Sequence, residues 1–321
     1  MINREIIRIK IVQLTYAYYQ NGNKNIDNAE KELFFSLSKA YDLYNHLLAL
    51  IVAVRGESQR RLEVLQAKAK REGTPEPPQK FAFNRFAVQL ENNIQLREFI
   101  GNQKRTWADE PEFVGKLLEQ IEQSQIYKDY LEGEDSYEAD REMWRKIYRT
   151  LIQENEDLDN LLEEQSLYWN DDKEVVDTFV LKTIKRFEEK NGAKQQLLPE
   201  YDSEEEKDYA RRLFRASILN ADEYQRFMSE ASANWDFSRL AYMDVILMQI
   251  AIAEMLTFPS IPLSVTINEF VNLSKVYSTP RSFGYINGML DAIARHLIRQ
   301  GRLMKQLETP QASSNKPKKQ Q

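Results

Sequence analysis

The stretch that decides the fold is WDFSRLAYMDVILMQIAIAEMLTFPSIPLSVTINEFVNLSKVYSTPRSFGYINGMLDAIAR, residues 235–295. From Leu240 onward, apolar residues recur every three or four positions and widen the apolar face almost to a full helical circumference. This pattern predicts a buried helix. Pro259 and Pro262 end it, because proline lacks the amide hydrogen that a helix interior needs and disfavours helix in the preceding residue.

Two more helices are predicted in the rest of the stretch. Ser264 is the predicted N-cap of the second helix, and Ser278-Thr279-Pro280 breaks that helix. The third helix begins around Ser282 and turns four apolar residues inward: Ile286, Met289, Leu290 and Ile293. Gly288 lies inside the third helix, where glycine costs about 1 kcal/mol relative to alanine. We therefore expect a close helix crossing at Gly288.

The composition indicates an all-α protein without a metal site or cofactor. The 321 residues are 42% hydrophobic, and glycine and proline number only 10 each, which is typical of helices joined by short loops. There is no cysteine, and two histidines, His46 and His296, cannot build a multi-histidine metal site. We find no long apolar run and no signal-peptide pattern, so we expect a cytoplasmic protein without a membrane partner.

Charge is distributed unevenly along the chain. Residues 109–206 contain 29 acidic and 12 basic side chains, whereas residues 295–321 contain seven basic side chains and one acidic. A nucleic acid would be attracted to the chain ends and repelled by the middle. The alternative is that the acidic helices are simply solvated.

The N-terminus is ambiguous by periodicity, because residues 7–11 alternate like a strand while Ile7, Ile11 and Leu14 share a helical face. No second strand-like segment could pair with it, so we predict a helix that ends at residues 21–23. A long amphipathic helix is predicted for 29–71, and residues 74–78 form the clearest linker. Further helices are predicted near 84–99, 112–130, 137–153, 158–168, 175–189, 204–219 and 221–233.

No catalytic motif is present. The chain contains no GxGxxG, GxxxxGK[ST], GxSxG or HExxH pattern, and its paired carboxylates lie in strongly polar segments where solvated charge is the default. We therefore expect a protein that is not an enzyme.

Five short elements of the opening stretch stand in a specific order: IAIAEM (250–255), IPLSVTINE (261–269), LSK (273–275), Ser282 and YINGMLD (285–291). Together they resemble the pattern of the NusB family of bacterial transcription antitermination factors. Arg8, Val12-Gln13 and Tyr16-Ala17 resemble the family's opening helix, and residues 211–224 resemble its third helix and the following turn. The resemblance is closest to the long, Bacteroidetes-type form.

The resemblance implies a fold of two small helical bundles and a role in antitermination. Family members pair with the ribosomal protein NusE, bind the single-stranded boxA element of nascent ribosomal RNA, and act in the RNA polymerase elongation complex. The RNA-binding residues implied here are Arg4, Arg8, Arg281, Ser282, Tyr285 and Asn287. The implied NusE contacts are Tyr16 and Asp244. The alternative is a helical adaptor that kept the fold without RNA binding, with Tyr285 in the core and Arg4 and Arg8 solvated.

The resemblance also implies a discontinuous domain. A NusB-like domain is expected at residues 1–50 and 205–300, an acidic helical insertion at 51–204, and a basic, disordered tail at 301–321. The insertion is either a module that contacts another protein of the elongation complex or a passive support for the NusB-like core.

Overall fold

The computed structural model describes residues 1–22, 25–231 and 240–304. Among these residues the only extended pairing is one bridge between Ile2 and Tyr201, so the predicted all-α class is confirmed. The α-helices of the described ranges are α1 (Arg4–Gln20), α2 (Ile26–Glu72), α3 (Arg85–Glu91), α4 (Ile94–Asn102), α5 (Pro111–Gln123), α6 (Gln125–Glu132), α7 (Tyr137–Ile147), α8 (Glu156–Gln165), α9 (Lys173–Arg186), α10 (Glu204–Leu219), α11 (Ala221–Ala231), α12 (Tyr242–Thr257), α13 (Leu263–Tyr277) and α14 (Ser282–Arg299). Residues 235–239 of the opening stretch and most of the predicted tail lie outside the described ranges.

The ambiguous N-terminus is helical. The side chain of Asn3 caps α1 by accepting a hydrogen bond from the amide of Ile6 at 3.0 Å. Ile7 and Ile11 are fully buried on one face of the helix. The chain leaves α1 through Gly22, whose φ of 65° favours glycine because a side chain is strained there.

Two predicted helices are each divided in two by a polar side chain. Asn93 separates α3 from α4 and caps α4 by accepting from the amide of Leu96 at 3.0 Å. Ser124 separates α5 from α6 and accepts from the amide of Tyr127 at 3.2 Å. Asn and Ser side chains can hydrogen-bond to nearby backbone amides and so interrupt a helix. The spacing of apolar residues does not show such an interruption.

Two expectations about the last helices are wrong. Helix α13 begins at Leu263 rather than after Ser264, because the carbonyl of Pro262 already accepts from the amides of Val265 and Thr266. Gly288 does not mark a close helix crossing. A Cβ atom added there would meet no described atom within 4 Å outside the helix's own turns.

The chain divides into two compact units. The central unit contains residues 1–2 and 35–202, and the terminal unit contains the described residues among 3–34 and those from Ser203 onward. The first limit falls within α2, where Phe34 lies under the guanidinium of Arg211 at 5.2 Å and Phe35 packs on Tyr168 at 5.3 Å. The boundary between the two compact units therefore lies before residue 50, where the predicted NusB-like segment ends. The boundaries of the NusB-like domain stay a prediction.

Helix α7 is at the centre of the central unit and packs against α3, α6 and α9. Its Trp144 is fully buried and lies 5.3 Å from the ring of Phe81. After α7 the backbone forms one π-helical turn at Tyr148–Ile152, and the Tyr148 hydroxyl donates to buried Asp177 at 2.6 Å. Burial and the charge of Asp177 raise the pKa of Tyr148, which therefore stays protonated and donates.

In the terminal unit, α12 is the central helix and packs against α1, α10, α11, α13 and α14. The residues from Ile246 to Met255 are all buried, as the nearly complete apolar circumference predicts. In the parts of the chain that the structure describes, we find no helix that combines the length and the apolar character needed to cross a membrane.

Arg8 joins α1 to α12 and α13 through a buried ion pair. Its Nε and Nη2 donate to the carboxylate of Glu254 at 2.8 and 3.1 Å, and its Nη1 lies 3.3 Å from Glu269. The Glu254 carboxylate also accepts from the hydroxyls of Tyr209 and Thr266. Burial alone would lower the pKa of Arg8, but the hydrogen bonds to Glu254 raise it, so the arginine stays charged.

This ion pair predicts that two arginines on the same helix differ in their importance for stability. Arg8→Met leaves the fully buried Glu254 carboxylate without its counter-charge, which costs about 3–5 kcal/mol in the free energy of unfolding. Arg4→Met removes a half-exposed arginine 3.7 Å from Glu206 and is expected to cost less than about 1 kcal/mol. Urea denaturation of both variants measures the difference.

A second substitution separates the charge effect from a packing effect. Adding Glu254→Gln to Arg8→Met removes the orphaned charge and is expected to restore part of the lost stability. If the double variant is no more stable than Arg8→Met, the stabilisation does not come from the ion pair.

Candidate functional site

The turn between α13 and α14 is held by one buried carboxylate. Asp244, in the first turn of α12, accepts hydrogen bonds from the hydroxyls of Ser278 and Ser282. Thr279 lies within 2.8 Å of the Ser282 hydroxyl, so three hydroxyl residues and Asp244 form one network. Asp244 and Ser282 are only 5% and 4% exposed. Their polar atoms are engaged in this network, and the NusE contact expected of Asp244 and the RNA contact expected of Ser282 stay predictions.

The residues next to this network on α14 face outward. Arg281 and Asn287 are exposed, and Phe283 keeps 47% of its surface accessible. Tyr285 is half-buried, and its burial together with the charge of Asp244 raises its pKa. Tyr285 therefore keeps its hydroxyl proton up to high pH, and its ring belongs partly to the packed side of the helix.

Two exposed tyrosines lie beside the network at the start of α12. Tyr16 of α1 and Tyr242 of α12 are 40% and 45% exposed, and their rings meet edge to face at 5.9 Å. The amide of Gln13 donates to the hydroxyl of Tyr277 at 3.1 Å, which joins α1 to the end of α13. The second half of α1, the start of α12 and the turn before α14 therefore meet at one place.

We define the turn surface as the exposed side chains grouped around this meeting point: Tyr16, Tyr242, Arg281, Phe283 and Asn287. The sequence did not single out Tyr242 or Phe283. Each stands three or four residues before a buried isoleucine, Ile246 or Ile286, so helical phase alone predicts burial for both. Their exposure depends on how the ends of the helices pack, and the spacing of apolar residues cannot predict it.

The two N-terminal arginines do not join the turn surface. Arg8 is buried in the ion pair with Glu254, and its expected contact with RNA phosphate stays a prediction. Arg4 is partly exposed, yet it lies near Glu206 and over the ring of Tyr209, in a depression that Glu204, Glu205 and Asp208 also line. The helical rise places Arg4 about 18 Å along α1 from Tyr16.

The described residues contain no cluster of three or more histidine, aspartate or glutamate side chains arranged to hold a metal ion. The turn surface itself is one cation, an amide and three aromatic rings. Such a set binds by stacking, hydrogen bonding and charge attraction.

Comparison with known proteins identifies the family. The model of the NusB family matches residues 178–295, from within α9 to near the end of α14. The match therefore begins before residue 205, where the predicted NusB-like segment starts. No solved structure matches the chain.

Three curated relatives carry the name "Transcription antitermination protein NusB". The protein of Salinibacter ruber is 34% identical over 132 residues, which are 39% of this chain and 82% of the relative. The Natranaerobius thermophilus protein is 41% identical over 78 residues, 24% of this chain and 56% of the relative. The Chloroherpeton thalassium protein is 36% identical over 99 residues, 31% of this chain and 47% of the relative.

The match to the first relative is extensive in identity and in coverage of that protein, whereas the other two are matched over about half their lengths. The motif order in 250–291, the all-helical terminal unit and the family-model match agree. The chain belongs to the NusB family.

Proposed function

We propose that this protein is a transcription antitermination factor that binds boxA-type single-stranded RNA together with the ribosomal protein NusE, and that the turn surface is its binding face. The observation that carries the proposal is the exposure of Arg281, Asn287 and three aromatic rings around a turn fixed by Asp244. The printed name of the Salinibacter ruber relative, a transcription antitermination protein, supports the antitermination part of this proposal. Its working context is the RNA polymerase elongation complex.

The chemistry of the turn surface suits single-stranded RNA. Unstacked bases bind by stacking on aromatic rings, and an arginine neutralises the phosphate that follows. Phe283 supplies ring surface together with the half-buried Tyr285 next to the turn surface. Arg281 supplies the charge, and the Asn287 amide can both donate to and accept from a base edge. Sequence preference would come from Asn287, because stacking and phosphate contacts discriminate little between bases.

Asp244 and Ser282 contribute by positioning. The Asp244 carboxylate holds the hydroxyls of Ser278 and Ser282, and Arg281 lies between these two residues in the chain. A fixed turn reduces the conformational entropy that Arg281 and Phe283 lose when they bind. We assign both buried residues to the organisation of the site rather than to direct contact.

We assign the contact with NusE to Tyr16 and its neighbour Tyr242. Exposed aromatic rings packed against each other offer a large contact area at a small entropic cost, which is typical of interface hot spots. Because the tyrosine pair adjoins the Asp244 network, bound NusE and RNA would lie side by side.

The second candidate is a helical adaptor that has kept the fold without binding RNA. The placement of the N-terminal arginines favours it, since Arg8 is used internally and Arg4 stands among carboxylates that repel phosphate. Without these two arginines the turn surface carries a single cation, Arg281, which provides few phosphate contacts for RNA.

For the central unit, the two roles considered from the sequence both remain open: contact with another protein, or passive support. Its excess of carboxylates argues against RNA as its partner, so we propose a contact with a protein of the elongation complex. The passive alternative is that the unit only supports the terminal unit.

The first prediction concerns Arg281. Arg281→Ala should weaken boxA RNA binding about tenfold through loss of a charge-assisted phosphate contact. The matched control is Arg295→Ala on the same helix, an exposed arginine already paired with Asp291 at 2.9 Å. Fluorescence anisotropy of labelled RNA with NusE present measures both. Equal losses for the two variants would remove Arg281 from the site.

The second prediction separates the two candidate functions by their salt dependence. The turn surface carries one cation, Arg281, so log affinity for RNA should fall with log salt at a slope of about −0.7, the value for one neutralised phosphate of a single strand. Arg281→Ala should make that slope shallower by about 0.7. A flat response in the unmodified protein supports the adaptor and contradicts RNA binding.

The third prediction concerns NusE. Tyr16→Ala should lower the affinity for NusE at least about tenfold, because an exposed aromatic ring of a hot spot is lost. Phe83→Ala is the control, since Phe83 is a 53% exposed aromatic of the central unit. Calorimetric titration with NusE gives both affinities. An unchanged affinity for Tyr16→Ala would place NusE elsewhere on the protein.

A further inference from the structure

The loop between α8 and α9 exposes apolar side chains of the central unit. Leu167 keeps 83% of its surface accessible, and Tyr168, the next residue, is half-buried. The ring of Tyr168 meets Phe35 of α2 edge to face at 5.3 Å, and Phe35 is 46% exposed. A group of exposed apolar side chains with polar residues around it is typical of a protein–protein contact.

Hydrogen bonds hold this loop in place. The indole nitrogen of Trp169 donates to the carbonyl of Lys39 on α2 at 2.8 Å. Within the loop, the amide of Trp169 donates to the carbonyl of Ser166, and the amide of Asp172 donates to the carbonyl of Trp169, both at 3.1 Å. Leu167 is therefore presented by an ordered segment, which reduces the conformational entropy lost when a partner binds.

An acidic depression adjoins the loop. Its volume is about 440 Å³, and Trp169 forms part of its wall. The charged residues of the wall are one lysine and five carboxylates: Lys173, Glu154, Asp159, Glu163, Glu174 and Asp177. The depression therefore combines one aromatic ring with an excess of negative charge.

The lysine of the depression is already used inside the protein. The ammonium group of Lys173 lies 3.1 Å from Asp177 and 3.2 Å from Asp159, and it donates to the carbonyl of Gln153 at 2.5 Å. Three acceptors engage its three protons. Glu163 and Glu174 are exposed, so their charges attract a cation and repel a phosphate.

We propose that the loop surface, defined as Phe35, Leu167, Tyr168 and the acidic depression, binds a basic segment of another protein. An apolar side chain of that segment packs on Leu167 and the two aromatic rings. An arginine or lysine next to it enters the depression, where it meets carboxylates and the ring of Trp169.

Charge complementarity selects this partner. A nucleic acid would bring phosphates towards the carboxylates, and an acidic protein would be repelled in the same way. The inference rests on the proposed contact of the central unit with another protein, and it adds the place and the chemistry of that contact. It is independent of RNA binding at the turn surface, because all residues of the loop surface belong to the central unit.

The test uses the full-length protein and a dye-labelled peptide in which four arginines flank one leucine. Fluorescence anisotropy at ~0.15 M ionic strength measures binding, since this salt concentration weakens attraction between distant charges. The peptide should bind. Replacing its leucine by serine should weaken binding about tenfold, because an apolar contact is lost. A peptide with four glutamates around the leucine should not bind.

A substitution in the protein tests the apolar part of the loop surface. Leu167→Ser should weaken binding of the leucine peptide about tenfold, and it should abolish the difference between the leucine and serine peptides. The matched control is Val64→Ser, at a position of α2 in the same unit that is 69% exposed. Val64→Ser should leave the affinity unchanged.

A second pair of variants tests the acidic part. Glu163→Gln combined with Glu174→Gln keeps the size of both side chains and removes two charges, and should weaken peptide binding about tenfold. The control is Glu98→Gln combined with Glu132→Gln, which removes two exposed carboxylates elsewhere in the central unit.

The proposal is overturned if the leucine peptide does not bind, or if it binds no better than the serine peptide. If both loop-surface variants match their controls, the location is wrong, although the central unit still binds a basic segment. Labelled single-stranded RNA whose binding is weakened by Leu167→Ser would also overturn the proposal. Affinities for boxA RNA and NusE, measured on the same variants, should not change. A failure of the unmodified protein to bind boxA RNA contradicts the proposed function alone.

Discussion

The ion pair between Arg8 and Glu254 is the interaction on which the terminal unit depends. A charge buried this deeply is tolerable only with a partner and with its remaining hydrogen bonds made. Arg8 supplies two of them to the carboxylate, and the hydroxyls of Tyr209 and Thr266 supply the others. Four helices, α1, α10, α12 and α13, therefore share one polar centre within an otherwise apolar core. This also explains two residues of the family-like pattern, since Glu254 and Glu269 both pair with Arg8.

A second buried carboxylate, Asp244, organises the face that we assign to binding. It lies at the opposite end of α12 from Glu254 and fixes the turn before α14 through hydroxyl groups. The residues suggested by the resemblance fall into two groups, those bound in the two buried carboxylate networks and those exposed at the surface. Arg8, Asp244 and Ser282 act inside the protein, whereas Tyr16, Arg281 and Asn287 remain available outside. A resemblance in sequence carries no information on this division, because a family pattern records structural and functional residues alike.

The central unit is built by different means. Its core combines large aromatic side chains with buried hydroxyl–carboxylate and hydroxyl–hydroxyl pairs, such as Tyr148 with Asp177 and Tyr44 with Thr183. Trp169, His46, Trp107 and Phe113 form one stack, and beside it lies a depression that Ala49 and Ala53 of α2 also line. Rigid rings cannot relax into such a space as flexible side chains do. The acidic composition, visible in the sequence, does not show that three carboxylates of this unit, Asp140, Asp172 and Asp177, are buried.

The sequence by itself determined the helical class, the breaks at Pro259, Pro262 and Ser278-Thr279-Pro280, the buried face of α12 and the family pattern. Periodicity and proline act locally, so they can be read from neighbouring residues. The splits at Asn93 and Ser124 and the start of α13 were missed, because side-chain and carbonyl capping compete with helix at single positions. Only the tertiary structure decided that Arg8 is buried while Arg281 is exposed, and that Tyr242 and Phe283 face outward. Helical phase shows which residues share a face. Whether that face meets a carboxylate, a ring or solvent depends on residues distant in the chain, such as Glu254 for Arg8.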